Sequence, residues 1–382
     1  MEEKRVLLLG GTGAIGQYLA PELKKRGFTV YITSRSAHAS NERGVVYLQG
    51  NAKDDAFLDE LLDERFDAIV DFMIYTTESF AARVQKLVSG TEHYLFLSSY
   101  RVYGDNHGKP ITEESPRLLD SVDDPEYLQT DEYGLTKARQ ENALRACGRK
   151  NFTIIRPAIT YSGDRFQLGT MEANEFLVRA LKKKPIIFPK EMKGKQATMS
   201  WSGDVGKMIA RLVLNEAAYG ETYTAATAEH HTWGEILKIY QSILGMKVKT
   251  VSLDRYREVV GRPWQIKYDR MLDRVIDNSK ILNATGMKQS ELTPLKEGLR
   301  MELQRFSRDP KFRTVDAAMQ KRFDRVAGTG SAANKARGLI ADLRRVNDYR
   351  KRGLLKGAVK KRLYRIAPLR KLAHGVKRLI KK

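Results

Sequence analysis

A single cysteine, Cys147, stands among 382 residues, so the chain can form no internal disulfide. It falls just after a stretch read as helical, where burial is the expected role. No run of about twenty apolar residues is present to cross a bilayer, and no apolar leader opens the sequence. A cytoplasmic protein is therefore expected. Metal-ligating patterns are equally scarce: His230-His231 is the only histidine pair. Adjacent side chains diverge on most backbones, so no metal site is expected there; the pair reads instead as a cap for a helix beginning near Trp233. Acidic residues are thin at one end of the chain. Residues 308–382 hold 24 Lys and Arg against 5 Asp, a net +19, whereas the other 307 residues carry 44 basic against 41 acidic, or +3. The overall charge of +22 thus belongs to the tail.

What is present begins with glycine. Lys4–Leu9 is a short apolar run that stops at Gly10-Gly11-Thr12-Gly13-Ala14-Ile15-Gly16. Beyond it, Ile15, Leu19 and Leu23 recur at four-residue steps, which predicts a helix over 14–26. Strand, glycine loop and helix in that order form the context of a dinucleotide site. Gly10 would allow the tight turn, Gly13 the approach of phosphates to backbone N–H groups, and Gly16 close helix packing. The helix N-terminus then faces negative charge. Phe28–Ile32 reads as a second strand, followed by Thr33-Ser34-Arg35-Ser36 where a ribose-binding acid would be expected. Hydroxyls and a guanidinium suit a 2′-phosphate, which favours NADP over NAD. The alternation continues with strands at 45–48, 68–72 and 94–98 and helices at 56–62 and 80–88. This predicts an α/β fold with a doubly wound parallel sheet and a ligand outside the strands' carboxyl ends. Ser98 and Ser99 fall at one such end.

Tyr133-Gly134-Leu135-Thr136-Lys137 places a phenol and an amine one helical turn apart, on one face. A phenol titrates near pH 10 in water, and a neighbouring ammonium is what brings such a group into range for proton exchange near neutrality. Ser99 would hydrogen-bond the substrate oxygen. With the glycine loop and Ser98–Gly104, these residues give the chain a resemblance, over about residues 4–305, to the extended short-chain dehydrogenase/reductases, the NAD-dependent epimerases and dehydratases of nucleotide sugars. Ile154-Ile155-Arg156-Pro157 and Asp277-Asn278-Ser279-Lys280 are similar to further family segments. The resemblance implies a Rossmann domain over 1–165 and a smaller α/β substrate domain over 166–307, partly interleaved with the first. It implies a Ser99–Tyr133–Lys137 catalytic set and cofactor contacts from the loop (Gly10, Thr12, Gly13, Ala14, Ile15, Gly16). Ser34, Arg35, Asn51, Ala52, Phe72, Pro157, Tyr133 and Lys137 complete that set. A homodimer built through a helix pair is a further implication.

Departures from the family narrow the chemistry. Sugar dehydratases carry an Asp-Glu pair after the catalytic hydroxyl; Tyr100 and Arg101 stand here, which argues against water elimination and makes both expected substrate contacts beside Ser99. An arginine that clamps the substrate diphosphate often precedes the Asp matching Asp204 by seven residues; that position is Ala197. Lys193 and Lys195 could substitute as point charges, and Trp201 could stack on a base or sugar. Otherwise the substrate is not a nucleotide sugar. The expected activity is hydride and proton exchange at a sugar hydroxyl or keto carbon, as an epimerase or a reductase. The alternative is a non-enzymatic dinucleotide-sensing or RNA-binding module on the same fold.

In the tail, Gly328-Thr329-Gly330-Ser331 reads as a hinge. Leu355, Val359, Leu363 and Ile366 step at helical intervals, Pro368 interrupts, and Leu369, Leu372, Val376, Leu379 and Ile380 resume. Two basic amphipathic helices suit an anionic membrane surface. A partner protein or a second copy is the next candidate. Nucleic acid ranks last, because Tyr364 is the only aromatic in the last thirty residues.

Overall fold

The computed structural model describes residues 3–40, 42–312 and 314–329. Six parallel strands form the main sheet: β1 (Arg5–Leu9), β2 (Thr29–Ser34), β3 (Val45–Gln49), β4 (Phe66–Asp71), β5 (Thr91–Leu97) and β6 (Phe152–Ile155). Their order is β3-β2-β1-β4-β5-β6, and Thr222–Tyr223 adds a seventh strand outside β6. This is the doubly wound arrangement, with the strand order reversing between β1 and β4. Register follows the side-chain period of two. Val6 and Leu8 join one hydrophobic face with Leu19, Leu23, Val30 and Val70. Leu7 and Leu9 join the other with Leu58, Ile69, Phe80 and Phe96. Both faces are covered, which is why the strands read as continuous apolar runs rather than alternating ones.

One covering helix comes from far along the chain. Ser202–Leu212 buries Val205, Met208 and Ile209 against the β1 face, beside α1 (Gly16–Lys25). A Cβ on Gly206 would sit 3.1 Å from the Leu19 backbone nitrogen, so glycine sets the spacing of the two helices. The same interleaving returns Thr222–Tyr223 to the sheet edge. Between and after these segments the chain builds small pairings outside the main sheet. Ile186–Pro189 lies parallel to Val248–Val251, and Met199–Trp201 lies parallel to Ile159–Tyr161. Gln196–Ala197 runs antiparallel to His231–Thr232.

Two local expectations change. The single helix expected over 80–88 is two, Thr77–Ala81 and Val84–Ser89. Arg83 lies at the junction, its guanidinium donating to the Lys53 carbonyl at 2.9 Å and to Asp55. His230 and His231 do not cap the Trp233 helix. Thr232 does, its hydroxyl accepting from Glu235 N while Glu235 reaches back to Thr232 N at 2.8 Å. His231 bonds Glu229 instead, at 2.7 Å. Cys147 is buried, one residue beyond the cap of the Tyr133–Arg145 helix. The Ala317–Ala327 helix is fastened to the body by Arg179–Asp324 at 2.8 Å and by Arg322 Nε on the Val259 carbonyl. The expected amphipathic helices over 355–380 lie outside the described residues.

The least exposed ion pair of the fold joins the Tyr133–Arg145 helix to the end of β6. Glu141 and Arg156, at most 2 % exposed, meet through two bonds of 2.8 and 2.6 Å, and Ser98 Oγ donates to the same carboxylate at 2.6 Å. Burial alone would raise the Glu141 carboxyl; the Arg156 fork and the Ser98 hydroxyl hold it below its ordinary value. Glu141→Gln should therefore cost about 3–5 kcal/mol in urea denaturation, because it leaves a buried guanidinium uncompensated. For a depressed carboxyl the stabilisation is present above the unfolded value near 4.3 and is lost as pH falls through the folded one. The gap between wild type and variant should accordingly close in acid.

Candidate active site

The glycine loop is shaped by its neighbours. Gly10 has φ +70°, and its N–H donates to Thr33 Oγ1 at 2.8 Å, tying the turn to the end of β2. A Cβ on Gly16 would lie 1.9 Å from the Gly11 carbonyl oxygen, so the helix start presses on the loop itself rather than on the strand. Nothing lies within 4 Å of a Cβ built on Gly13, which leaves that backbone open to a ligand. Ser162 Oγ braces the loop from the other side, donating to the Ala14 carbonyl at 3.1 Å.

Two cavities adjoin the loop and share Phe72 and Ile74. The first, about 620 Å³, runs from Gly10 and Thr12 past Ser34, Arg35 and Ser36 to Asn51, Ala52 and Lys53. None of its lining residues is acidic. The second, about 280 Å³, is lined by Ile15, Ser99, Tyr133, Lys137 and Pro157 among others. Together the two cavities could hold a dinucleotide along the glycine loop. Arg35 and Lys53 supply positive charge to the first cavity.

The sequence places Ser98 and Ser99 side by side, and tertiary structure separates their roles. The Ser98 hydroxyl is spent on Glu141. Ser99 accepts from Arg101 N at 3.2 Å and keeps its own proton to donate into the cavity. Tyr133 opens its helix, capped by Glu132, whose carboxylate accepts from Gly134 N at 2.8 Å. A Cβ at Gly134 would stand 2.6 Å from the Arg101 carbonyl oxygen, so only glycine lets this helix end meet the turn that carries Ser99. Lys137 is buried and donates to the Leu97 carbonyl at 2.7 Å. Burial lowers its ammonium to about 8, against the opposing pull of Asp71 and Glu141. Asp71 is itself buried, bonded by Tyr94 and Tyr75 at 2.7 and 3.1 Å.

Not every expected ligand residue reaches the cavity as a free group. Tyr100 is buried, and its hydroxyl lies 2.9 Å from Asp269 and 2.6 Å from Arg270. The Arg101 guanidinium is drawn to Glu132 and, at 3.2 Å, to Asp269, and stacks 5.2 Å over the Tyr133 ring. It positions the tyrosine rather than waiting for a ligand. Lys193, Lys195 and Trp201 lie outside the cavity altogether. Lys193 bonds Thr250 at 2.8 Å, Lys195 faces Asp273 at 3.8 Å, and the Trp201 indole donates to Glu302 at 2.8 Å while packing on Tyr18. In their place stand residues the sequence reading missed: Arg270, in a wide turn closed by Met271 N on the Ile266 carbonyl, with Arg165 and Glu172; Asp269, outside the lining, pairs with Arg270. No short-range spacing marks these as site residues. Glu172, and Glu132 beside the Ser99 turn, carried one local signal, each an acid just before a helix.

A model of the NAD dependent epimerase/dehydratase family matches residues 6–223. The chain belongs to that family. Among solved structures, the family member is similar to dTDP-glucose 4,6-dehydratase from Bacillus anthracis in complex with NAD, at 16 % identity and TM-score 0.63, covering 80 % of this chain and 97 % of that one. It is also similar to UDP-glucose 4-epimerase from Thermus thermophilus in complex with NAD, at 20 % identity and TM-score 0.60, covering 80 % and 100 %. A third is the Thermotoga maritima UDP-glucose 4-epimerase with UDP-glucose, at 16 % and 0.61, covering 80 % and 100 %. At these identities the likeness is one of fold. No curated protein sequence matches the chain. Among the described residues, no cluster of potential metal ligands occurs and no helix is long and apolar enough to cross a membrane.

Gly16→Ala tests the loop. The new methyl cannot fit against the Gly11 carbonyl, so dinucleotide affinity measured by fluorescence titration should fall more than tenfold.

Proposed function

We propose that this family member is an NAD(P)-dependent oxidoreductase or epimerase acting at a sugar hydroxyl or keto carbon, with Ser99, Tyr133 and Lys137 as its catalytic residues. One observation carries the reading: all three line a single cavity that joins the glycine-loop groove through Phe72 and Ile74. A nicotinamide dinucleotide supplies or accepts the hydride when bound. Ser99 donates to the substrate oxygen and stabilises charge that develops on it. Tyr133 exchanges a proton with that oxygen, and the Lys137 ammonium, fixed on the Leu97 carbonyl, lines the same cavity. The acid-free cleft with Arg35 and Lys53 supports NADP as the cofactor.

Tyr133→Phe should lower turnover by about 10²–10⁴, the typical weight of a positioned acid or base, with dinucleotide affinity unchanged; retained activity removes the assignment. Lys137→Met should also abolish turnover but match or exceed wild-type Tm at pH 7. A buried lysine lowered to about 8 costs stability while charged, and that cost fades as pH rises from about 8 toward the unfolded value near 10.4. The advantage of the variant should therefore shrink at pH 10. Mass spectrometry of nucleotide released from denatured protein separates the two reactions. Tightly held NAD means a cofactor recycled in place, as in an epimerase. Empty protein that takes up NADPH means a reductase, and Arg35→Ala should then weaken NADPH more than NADH.

The basic end supports a peripheral association with anionic membrane as a second element of function. Residues 330–382 hold 18 Lys and Arg against 2 Asp. Because the Ala317–Ala327 helix is part of the body, the informative truncation ends at Thr329. Full-length protein should sediment with vesicles containing 30 % phosphatidylserine, and residues 1–329 should not. Equal sedimentation assigns the tail to another partner.

A further inference from the structure

The substrate end of the cavity is rich in arginine, yet almost none of that charge is available. Arg101, Arg270 and Arg274 converge on the buried Asp269 carboxylate, Arg101 and Arg274 at 3.2 and 3.5 Å and Arg270 in direct contact. Most of their remaining donors are placed. Arg270 bonds the Gly169 carbonyl at 2.7 Å, Gln167 at 2.8 Å and the Tyr100 hydroxyl. Arg274 bonds the Gly104 and Tyr268 carbonyls, both at 2.8 Å, and Arg101 bonds Glu132. Anion recognition by arginine needs a pair of free, parallel N–H groups. Among the described residues that line the cavity, only the Arg165 guanidinium, at an exposed position, keeps all its donors; Arg101 keeps Nη1, while its charge is paired with Glu132 and Asp269. Glu172 adds a carboxylate to the same wall. The space is small too: about 280 Å³, shared between nicotinamide and substrate, against the ~300–1,000 Å³ of sites for drug-sized ligands.

We infer that Asp269 is a built-in counter-anion that occupies the arginines of the substrate end, so that the site takes a compact polyhydroxy or hydroxycarbonyl compound with at most one anionic group and rejects nucleoside diphosphates. This rests on the oxidoreductase reading and specifies its substrate class. Asp269 is a specificity determinant here and takes no part in proton or hydride exchange.

The test uses full-length protein saturated with whichever dinucleotide it binds, so that the glycine loop and adenosine cleft are filled. UDP, UDP-glucose and inorganic pyrophosphate are titrated by calorimetry against wild type and Asp269→Asn. Wild type should show Kd values above 1 mM for all three. The variant keeps the shape of the side chain, removes the negative charge that faces Arg101, Arg270 and Arg274, and should bind pyrophosphate and UDP at least tenfold more tightly. A Kd for UDP or UDP-glucose below 100 μM in wild type overturns the inference, whether or not the variant folds. A well-folded Asp269→Asn protein with no gain for pyrophosphate overturns it as well. Failure of the underlying reading is distinguishable, because a protein that binds no dinucleotide fails at the saturation step, before any of these ligands is added.

Discussion

The buried Glu141–Arg156 pair is the constraint on which the site depends. It joins the helix that carries Tyr133 and Lys137 to the carboxyl end of β6, and through Ser98 to the end of β5. A buried pair of this kind is a weak source of net stability, since desolvation offsets much of its Coulomb energy. Its value is directional. Each partner left alone would be costly, so the helix has one favourable docking position. That position aims Lys137 at the Leu97 carbonyl and Ser99 at the cavity.

A second constraint acts at the other end of the same helix. The helix start and the Ser99 turn approach so closely at Gly134 and Arg101 that no side chain fits between them. Glu132 caps the helix and bonds Arg101, which extends over the Tyr133 ring and on to Asp269. The polar network around Asp269 is thus continuous with the support of Tyr133. Where dehydratases of this family carry an acid and a base, this chain carries Tyr100 and Arg101, and both are structural members of that network.

The two halves of the chain share one core. Ser202–Leu212 covers the sheet beside α1, and Thr222–Tyr223 extends its edge, so the substrate-side elements are anchored in the sheet that forms the dinucleotide groove. Ser162 reaches back to the glycine loop in the same way. Cofactor and substrate cavities are consequently held by common elements rather than by a flexible join.

The amino-acid sequence by itself determined the alternation of strands and helices, the loop Gly10–Gly16 and the Tyr133–Lys137 pair. These are local matters: a buried parallel strand is a short apolar run, a phosphate loop needs glycines at fixed steps, and one helical turn brings i and i+4 together. Tertiary structure alone decided which of two adjacent serines faces the cavity and that Lys193, Lys195 and Trp201 lie apart from it. It also decided that the arginines at the Tyr133 cavity, Arg101 and Arg270, are claimed by Asp269, 168 residues beyond Arg101 in the chain. A charge's availability depends on which other charges fold against it, and nothing in local spacing records that.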